Sequence, residues 1–304
     1  MHHLYSQGID AQKTKHSLVL LFIELRKAFD MVNHNLLIHK ITALGISGPL
    51  FSLLCSYLTG RTQCVKINNS ASSTVSVTYG VPQGFILSPT LFLDFLNDLL
   101  TLPLNSKVHC YADDTTFYLF NSSPSLLHDL VSSDIALIEK WCESNMNETK
   151  SHYLVVNQQS YPFSFSVNNT VLQKQPTTKP LGFVINGTLK WSDQIDTISK
   201  IVSANLRLFY KIRYLIDLST SKLFNYNYIH PYLTYEIHLY FLMSPNSQTK
   251  YLLGLQRRAL QHICKPYQSH LIKKPSLPYS SLTKLRSFHS PLFLHTSPAS
   301  VLTT

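Results

Sequence analysis

Three acidic residues stand where strand-forming segments end, a placement that suits chemistry on phosphate groups. Glu24 closes the apolar run that starts at Ser17, and Asp113 and Asp114 lie between two short strand-forming segments. Carboxylate oxygens are the ligands that Mg²⁺ prefers, and two ions about 4 Å apart can stabilise the attacking and the leaving oxygen of an in-line displacement. These residue types favour metal-dependent phosphoryl transfer with two Mg²⁺ ions, for which Mn²⁺ could substitute. Taken alone, an Asp-Asp turn is more often structural than catalytic.

The acids need a rigid sheet to position them, and the apolar pattern predicts one. Ser17–Leu25 is continuous enough for a strand buried on both faces. Val108–Tyr111 and Thr115–Phe120 are predicted to form a tight hairpin with both aspartates at its tip. Further strands are predicted as a hairpin over 62–79 and at 153–156, 163–167 and 181–185. The apolar spacing predicts helices near 36–44, 49–58, 88–100, 124–141, 191–209, 220–243 and 248–264.

Composition places the chain among globular proteins and gives its last third a strong positive charge. The 304 residues are 44% hydrophobic, and no apolar stretch is long enough to span a membrane. The five cysteines are odd in number and never spaced C-x-x-C, which argues against a disulfide framework and a zinc cluster. Thirteen of the 26 Lys and Arg residues, but only two of the 16 Asp and Glu residues, follow residue 199. Ten of the 17 tyrosines lie there too. This segment is predicted either to bind nucleic-acid phosphates and stacked bases or to be a solvated basic region on an aromatic core.

Four motifs, in this order along the chain, resemble those of reverse transcriptases. Phe22–Asp30 is similar to the first palm motif, which ends in the same A-F-D, and Gly80–Gly84 resembles the G-x-P-Q-G box. Tyr111–Asp114 resembles the Y-x-D-D box, and Lys179–Gly182 resembles the segment that carries the primer-grip hairpin. The resemblance covers about residues 16–264 and is to the enzymes of non-LTR (LINE-type) retrotransposons of the jockey and chicken-repeat type.

The resemblance implies a role for each matching residue. Glu24, Asp113 and Asp114 would bind the metal ions, and Lys150 would protonate the leaving pyrophosphate. Phe29 would be the steric gate that excludes a ribose 2′-hydroxyl. The other residues implied to bind substrate are Pro82, Gln83, Gly84, Phe85 and Tyr111, and those implied for the primer grip are Leu181 and Gly182. Structural interpretations stay open for three of these residues: Asp114 as an exposed turn acid, Phe29 as a core residue and Lys150 as a solvated strand-edge lysine.

Three departures from the family pattern bear on activity. Glu24 stands where the family has aspartate, and its additional methylene moves the carboxylate outward by roughly 1 Å, a misplacement that can reduce a rate on the order of 100-fold. Phe85 stands where the family usually has serine, which puts a bulky ring where the substrate passes. The first palm motif begins about 20 residues after Met1. The sequence is therefore expected to be a truncated copy, or one exon of a longer product, without the upstream fingers cations, an endonuclease domain or a Cys/His knuckle.

Together these features predict an α+β fold: a right-hand polymerase palm, in which helices pack on an antiparallel sheet, followed by a helical thumb-like region. The predicted boundaries are 1–199 for the palm with partial fingers and the primer grip, 200–264 for the basic thumb-like region and 265–304 for a loosely structured tail. The implied function is RNA-directed DNA synthesis on an RNA template and a DNA primer, with deoxynucleoside triphosphates. The alternatives are a catalytically dead nucleic-acid-binding remnant and a different phosphoryl-transfer enzyme that shares only the acidic pair. Without a signal sequence, the protein is expected inside the cell, in the nucleus or the cytoplasm, as a ribonucleoprotein.

Overall fold

The computed structural model describes residues 2–142, 146–158, 160–237 and 246–264. It forms two compact units that divide between Leu189 and Lys190. The predicted boundary at residue 199 remains a prediction, and the predicted tail, 265–304, lies outside the described residues. No helix in the described ranges is long and apolar enough to cross a membrane.

A five-stranded sheet organises the first unit. Its strands lie in the order β11 (Gln173–Lys174), β8 (His152–Val156), β1 (Ser17–Ile23), β7 (Asp114–Asn121) and β6 (Lys107–Tyr111). The central strand, β1 (Ser17–Ile23), is buried along its whole length and pairs antiparallel with β7 (Asp114–Asn121) on one side and β8 (His152–Val156) on the other. β6 (Lys107–Tyr111) pairs antiparallel with β7 at one edge. The mixed helix-and-sheet class agrees with the prediction. The sheet departs from the implied antiparallel pattern at its other edge, where β11 (Gln173–Lys174) runs parallel to β8 after a small intervening hairpin.

Two helices cover the sheet because β1 carries apolar side chains on both faces. Val19, Leu21 and Ile23 belong to a core that also includes the buried stripe of α5 (Pro124–Cys142). The stripe consists of Leu127, Val131, Ile135 and Ile138, at the spacing of one helix face. Side chains alternate along a strand, so Leu18 and Leu20 point the other way, and α1 (His2–Lys13) packs on β1 and β8.

A second core lies under the connection that follows β1. It is built by α2 (His34–Ala43), α3 (Gly48–Leu58) and α4 (Ser88–Leu96). The Asn33 side chain accepts a hydrogen bond from the Leu36 N–H and so begins α2, and Pro49 and Pro89 lie in the first turns of α3 and α4. The members of this core include Val32, Leu37, Ile41, Leu54, Leu58, Val81, Leu91 and Phe92.

The remaining elements are short in the first unit and helical in the second. The first unit contains β2 (Thr62–Gln63), β3 (Lys66–Ile67), β4 (Ser70–Ala71), β5 (Val75–Ser76), β9 (Ser166–Val167), β10 (Thr170–Val171), β12 (Thr177–Thr178) and β13 (Ile185–Asn186). It also has 3₁₀ turns at Ala28–Met31, Asn97–Thr101 and Pro180–Gly182. The second unit contains α6 (Ser192–Ile212), α7 (Leu218–Tyr228), α8 (His230–Thr234) and α9 (Asn246–Cys264).

Several predicted elements differ from the observed ones for local backbone reasons. The strand predicted at 181–185 is a 3₁₀ turn at its start, because Leu181 and Gly182 have positive φ angles of 50° and 80°. The helix predicted at 220–243 ends at Tyr228 and restarts with α8, where Pro231 lies in the first turn; residues 238–243 lie outside the described ranges. The strand predicted at 163–167 is reduced to β9, and α1 was not predicted.

Candidate active site

The sheet brings the acids at 24 and 113–114 to neighbouring strand ends. In the β1–β7 ladder Ile23 pairs with Thr115, so the next position, Glu24, lies level with Asp114. The β6–β7 hairpin closes with the pair Tyr111 and Asp114, and Ala112 in its turn has a positive φ of 51°. Asp113 therefore lies at the hairpin tip and Asp114 at the first position of β7. The structure thus assembles the three carboxylates on one end of the sheet, as the sequence predicts.

The pKa values in this cluster are shifted by burial and by the charges of neighbouring side chains. Burial is the largest cause that raises the pKa of the Asp114 carboxyl, and the negative charges of Asp113 and Glu24 raise it further. The pKa of Lys150 is raised because its ammonium donates a hydrogen bond to Glu24, with added attraction from the charges of Glu24 and Asp113. The four side chains therefore lie within electrostatic reach of one another.

The segment before β8 docks on the backbone of Glu24 and places Lys150 beside it. The Asn147 N–H donates to the Glu24 carbonyl at 2.8 Å, and the Glu24 N–H donates to the Ser151 hydroxyl at 3.1 Å. Leu25 and Met146 form an isolated antiparallel bridge. With the chain held this way, the Lys150 Nζ contacts the Glu24 Oε1 at 2.5 Å.

A cavity of about 170 Å³ opens beside the acids, walled by Glu24, Asp114 and Lys150. Thr178, Lys179 and Pro180 also line it, directly before the predicted primer-grip residues Leu181 and Gly182. The predicted residues Asp113, Leu181 and Gly182 are adjacent to the lining but not part of it. The other residues of the lining are Phe22, Ile23, Thr115, Thr116 and His152.

His152 is a cavity residue that sequence reasoning missed. Its ring stacks on Phe22 with centroids 5.0 Å apart, its Nε2 lies 2.7 Å from the Thr178 hydroxyl, and its Nδ1 lies 2.9 Å from the Lys150 carbonyl. It thus connects the β8 edge to the segment that precedes the predicted primer grip. Its only sequence signal was its place two residues after Lys150, which is too weak to distinguish it from any exposed histidine.

The Gly80–Gly84 loop docks on the backbone that follows the first palm motif. The Gly80 N–H donates to the Val32 carbonyl and the Val81 N–H to the Phe29 carbonyl, both at 2.8 Å. The Gln83 amide donates to the Asp30 carboxylate at 3.0 Å, which joins two of the motifs through side chains.

The other predicted substrate-binding residues occupy distinct environments. The Phe29 ring is partly buried and stacks on Phe92 of α4 with centroids 4.4 Å apart. The Pro82 carbonyl accepts a hydrogen bond from the Ser88 hydroxyl. Gln83 and Gly84 are exposed, the Phe85 side chain is 57% exposed and the Tyr111 side chain 64% exposed. The structure therefore presents both aromatic side chains to solvent, whereas Phe29 is anchored to the core.

The donor chemistry of the cluster fits a divalent ion, although its present geometry is incomplete. All three acids offer oxygen ligands, and the pKa of Asp114 is raised first by burial and then by repulsion from Asp113 and Glu24, which a cation would relieve. However, no three His, Cys, Asp or Glu side chains within the described ranges lie close enough together to hold a metal as they stand. Glu24 is turned toward Lys150 instead. These acids could hold a divalent ion only after their side chains rearrange.

Asp114→Asn is expected to stabilise the metal-free fold at neutral pH. The pKa of Asp114 is raised in the folded state, so this carboxyl contributes to folding stability below its unfolded-state pKa, where it is protonated. That contribution is lost as pH rises through the folded-state pKa and the carboxyl ionises, and asparagine avoids this loss because it stays neutral. Charge interactions at exposed sites are rarely worth more than about 1 kcal/mol, so the gain in Tm should be no more than about 2–4 °C. Thermal unfolding in EDTA at pH 7 and at pH 3 measures it. The gain in Tm should vanish at pH 3. The control variant Asp10→Asn, which removes an exposed acid from α1, should show no gain at either pH. A lower Tm for Asp114→Asn at pH 7 would contradict the claim that the ionised Asp114 destabilises the fold.

The sequence matches a family of known proteins over more than half of the chain. The model of the family described as "Reverse transcriptase (RNA-dependent DNA polymerase)" matches residues 2–185. The RNA-directed DNA polymerase from the mobile element jockey of Drosophila melanogaster is 26% identical over 211 residues, which cover 66% of this chain and 23% of that protein. The probable RNA-directed DNA polymerase from transposon X-element of the same species is 25% identical, over 69% of this chain and 24% of that protein.

The solved structures that resemble the chain include telomerases. The telomerase from Candida tropicalis in complex with a fragment of telomeric RNA is 13% identical, with a TM-score of 0.47, over 90% of this chain and 44% of that one. The apo telomerase from the same organism, truncated from the C-terminal domain, is 18% identical, with a TM-score of 0.44, over 62% of this chain and 39% of that one. The chain spans about a quarter of the length of the two curated Drosophila relatives.

Proposed function

Because the chain belongs to the reverse transcriptase (RNA-dependent DNA polymerase) family, we propose that it carries the polymerase centre of a non-LTR retrotransposon enzyme. The observation that carries this proposal is the assembly of Glu24, Asp113 and Asp114 on one end of the sheet. Its template would be RNA, its primer DNA and its second substrate a deoxynucleoside triphosphate. In this proposal residues 1–199 form the palm and 200–264 the thumb-like region, and the protein works inside the cell bound to RNA.

The proposed reaction is transfer of a nucleotidyl group to the primer. The primer 3′-hydroxyl oxygen attacks the α-phosphorus, a new phosphodiester bond forms, the bond to the β-phosphate oxygen breaks and pyrophosphate leaves. Glu24, Asp113 and Asp114 would hold the divalent ions, Mg²⁺ or Mn²⁺, which when bound stabilise the charge that develops on the phosphate oxygens. At neutral pH the Lys150 side chain is protonated, so its ammonium would be the proton donor to the departing pyrophosphate. Its contact with Glu24 raises its pKa and so makes it a weaker acid, and the transfer would therefore follow loss of that contact.

The docked loop supports the proposed positions of the substrate-binding residues. Gln83 bonded to Asp30, with Gly84 beside it, would form the floor under the incoming base, where glycine allows close approach. Phe29 is anchored by its stack on Phe92, and a fixed ring is what discrimination against a 2′-hydroxyl requires. Pro82 would hold this floor through its bond with Ser88, and Phe85 and Tyr111 would contact nucleotides from exposed positions. Leu181 and Gly182, which directly follow the cavity residue Pro180, would contact the primer end.

The second unit offers a surface suited to single-stranded nucleic acid. Tyr210 and Tyr214, exposed at 55% and 67%, lie one turn apart on and just after α6. The buried Arg213 guanidinium lies 4.2 Å from the Tyr210 ring centroid and 4.6 Å from the Tyr214 ring centroid, and it donates to the Tyr214 hydroxyl at 2.9 Å. Rings held in this way lose little entropy when a base stacks on them. Exposed Arg207 and Lys211 on the same helix would contact phosphates.

Removal of these rings is expected to weaken binding of single-stranded RNA. Stacking is worth about 1–3 kcal/mol per base, so Tyr210→Ala with Tyr214→Ala should raise the Kd at least about tenfold. Tyr251→Ala, which removes an exposed ring from α9, is the matched control and should change the Kd less than about twofold. Fluorescence anisotropy with a labelled oligonucleotide measures both.

The charged residues beside these rings should instead determine how steeply RNA binding weakens as the salt concentration rises. Arg207→Gln with Lys211→Gln removes two phosphate contacts, and each contact contributes about 0.7 to the slope of log Kobs against log salt for a single strand. The slope should therefore become shallower by about 1.4. Unchanged affinity and slope in both double variants would show that this surface does not contact nucleic acid.

A further inference from the structure

The Lys150 ammonium is the cation that pairs with an acid of the cluster formed by Glu24, Asp113 and Asp114. Its Nζ lies 2.5 Å from the Glu24 Oε1, and the charge of Asp113 also attracts it. Lys150 is the only cation for which an ion pair with the cluster acids is observed within the described residues. An ammonium this close to a carboxylate oxygen repels a divalent ion that approaches the same oxygen, so metal binding there favours loss of the contact.

The length of the Glu24 side chain makes this contact possible. Hydrogen bonds from Asn147 and to Ser151 fix the backbone of residue 24 against the segment that carries Lys150. An aspartate here would withdraw the carboxylate from Lys150 by roughly 1 Å, which lengthens the contact from 2.5 Å to about 3.5 Å. At that separation the direct hydrogen bond would be lost. The contact is thus a consequence of the residue that distinguishes this chain from the family pattern.

The contact is also exposed enough to open. The Lys150 side chain is 63% exposed and the Glu24 side chain 40% exposed. Exposed ion pairs are weak and exchange readily with solvent and salt. A divalent ion, which carries twice the charge, can therefore displace the ammonium, although it must compete with it.

We propose that Lys150 is a built-in counter-cation of Glu24, which holds this carboxylate away from the metal site until a divalent ion displaces it. This inference rests on the proposed function, since it assumes that Glu24, Asp113 and Asp114 bind the metal. Metal affinity in this chain then depends on how readily a metal ion replaces the Lys150 ammonium at the Glu24 carboxylate. Lys150, once released, is free to meet the leaving pyrophosphate.

The test is a titration of the chain with Mn²⁺ alone, followed by electron paramagnetic resonance of the free ion. Lys150→Met keeps all but the last atom of the side-chain length and removes the charge, and the substituted position is exposed, so the fold should be retained. We expect this variant to bind Mn²⁺ on the order of tenfold more tightly than the unchanged chain. Lys179→Met is the matched control, because Lys179 lines the same cavity but forms no ion pair among the described residues. Its affinity should change less than about twofold.

A double-mutant cycle separates the direct contact from the general field of a nearby charge. If Lys150 acts by bonding to Glu24, Lys150→Met should improve Mn²⁺ affinity much less in a Glu24→Asp chain, by about two- to threefold. Equal gains with Glu24 and with aspartate, or equal gains for Lys150→Met and Lys179→Met, would overturn the inference and leave the proposed function standing. No Mn²⁺ binding to any variant would overturn both.

Discussion

Asp113→Ala is expected to reduce primer extension by at least about 10³-fold, because the substitution removes a carboxylate on which positioning of the reacting phosphate depends. The measurement uses a fusion in which the chain, with Glu24→Asp, follows a fingers segment from a related element. The fingers cations would hold the triphosphate in line, and positioning of this kind can supply roughly 7–11 kcal/mol of a barrier. A shorter carboxylate at residue 24 is worth less, about 3 kcal/mol for a 100-fold effect. Residues 1–304 alone, with Glu24 or with aspartate, are therefore expected to stay near background.

The matched control for this loss is Asp129→Ala, which removes an exposed acid from α5 and should leave extension unchanged. RNA binding measured on the same samples distinguishes loss of chemistry from loss of template. Extension that survives Asp113→Ala would refute the assignment of this acid. A fusion that binds template and never extends would favour the nucleic-acid-binding remnant. Strong extension by residues 1–304 alone would show that they need neither the added fingers segment nor the shorter carboxylate at residue 24.

Gly80→Ala is expected to destabilise the first unit by about 2–5 kcal/mol. Gly80 has a φ of +88°, and a Cβ built there would lie 3.0 Å from the Asp30 Cα and 3.1 Å from the Asp30 carbonyl oxygen. The left-handed backbone costs an alanine about 1–2 kcal/mol, and displacement of packed backbone adds about 1–3 kcal/mol. For a unit of this size the Tm should fall by about 5–15 °C. The loop that carries Gln83 would also shift relative to Asp30, so primer extension by the fusion should fall.

Gly84 provides the matched control, since its φ is +82° and a Cβ there would meet no atom within 4 Å. Gly84→Ala should therefore show only the backbone cost, about 1–2 kcal/mol. The difference between the two variants in thermal unfolding isolates the close approach of the two loops. Equal losses of Tm would mean that Gly80 is required for its backbone conformation alone.

The parts of the site whose conformation depends on the local sequence pattern could be predicted from the sequence. The apolar run at Ser17–Leu25 predicts a strand buried on both faces, which is observed over Ser17–Ile23. The strand-turn-strand pattern around Asp113 predicts a hairpin, which is also observed. Their pairing could be predicted because metal chemistry needs acids from both elements. The docking of Gly80 on the Val32 backbone could not, since it depends on two main-chain segments that carry no side-chain signal.

The observed structure departs from the prediction where tertiary contacts or single backbone angles determine the local conformation. The contact between Lys150 and Glu24 requires the segment before β8 to lie on the end of β1, which no spacing in the sequence encodes. The 3₁₀ turn at Pro180–Gly182 depends on a positive φ at Leu181, a residue that rarely adopts one. α1 was missed because its sequence is largely polar, and its burial of Leu4 and Tyr5 depends on the sheet beneath it.

The central place of β1 decides when this unit can fold during synthesis. β1 ends at Ile23, whereas its partners β7 and β8 end at Asn121 and Val156. A ribosome adds about 5–20 residues per second, so roughly 7–27 s separate the emergence of β1 from that of its second partner. During that time six consecutive apolar residues, Leu18 to Ile23, stay without the strands that bury them. An unpaired apolar strand is a template for strand addition by other chains. The nascent protein is therefore a natural client for chaperones until residue 156 has left the ribosome.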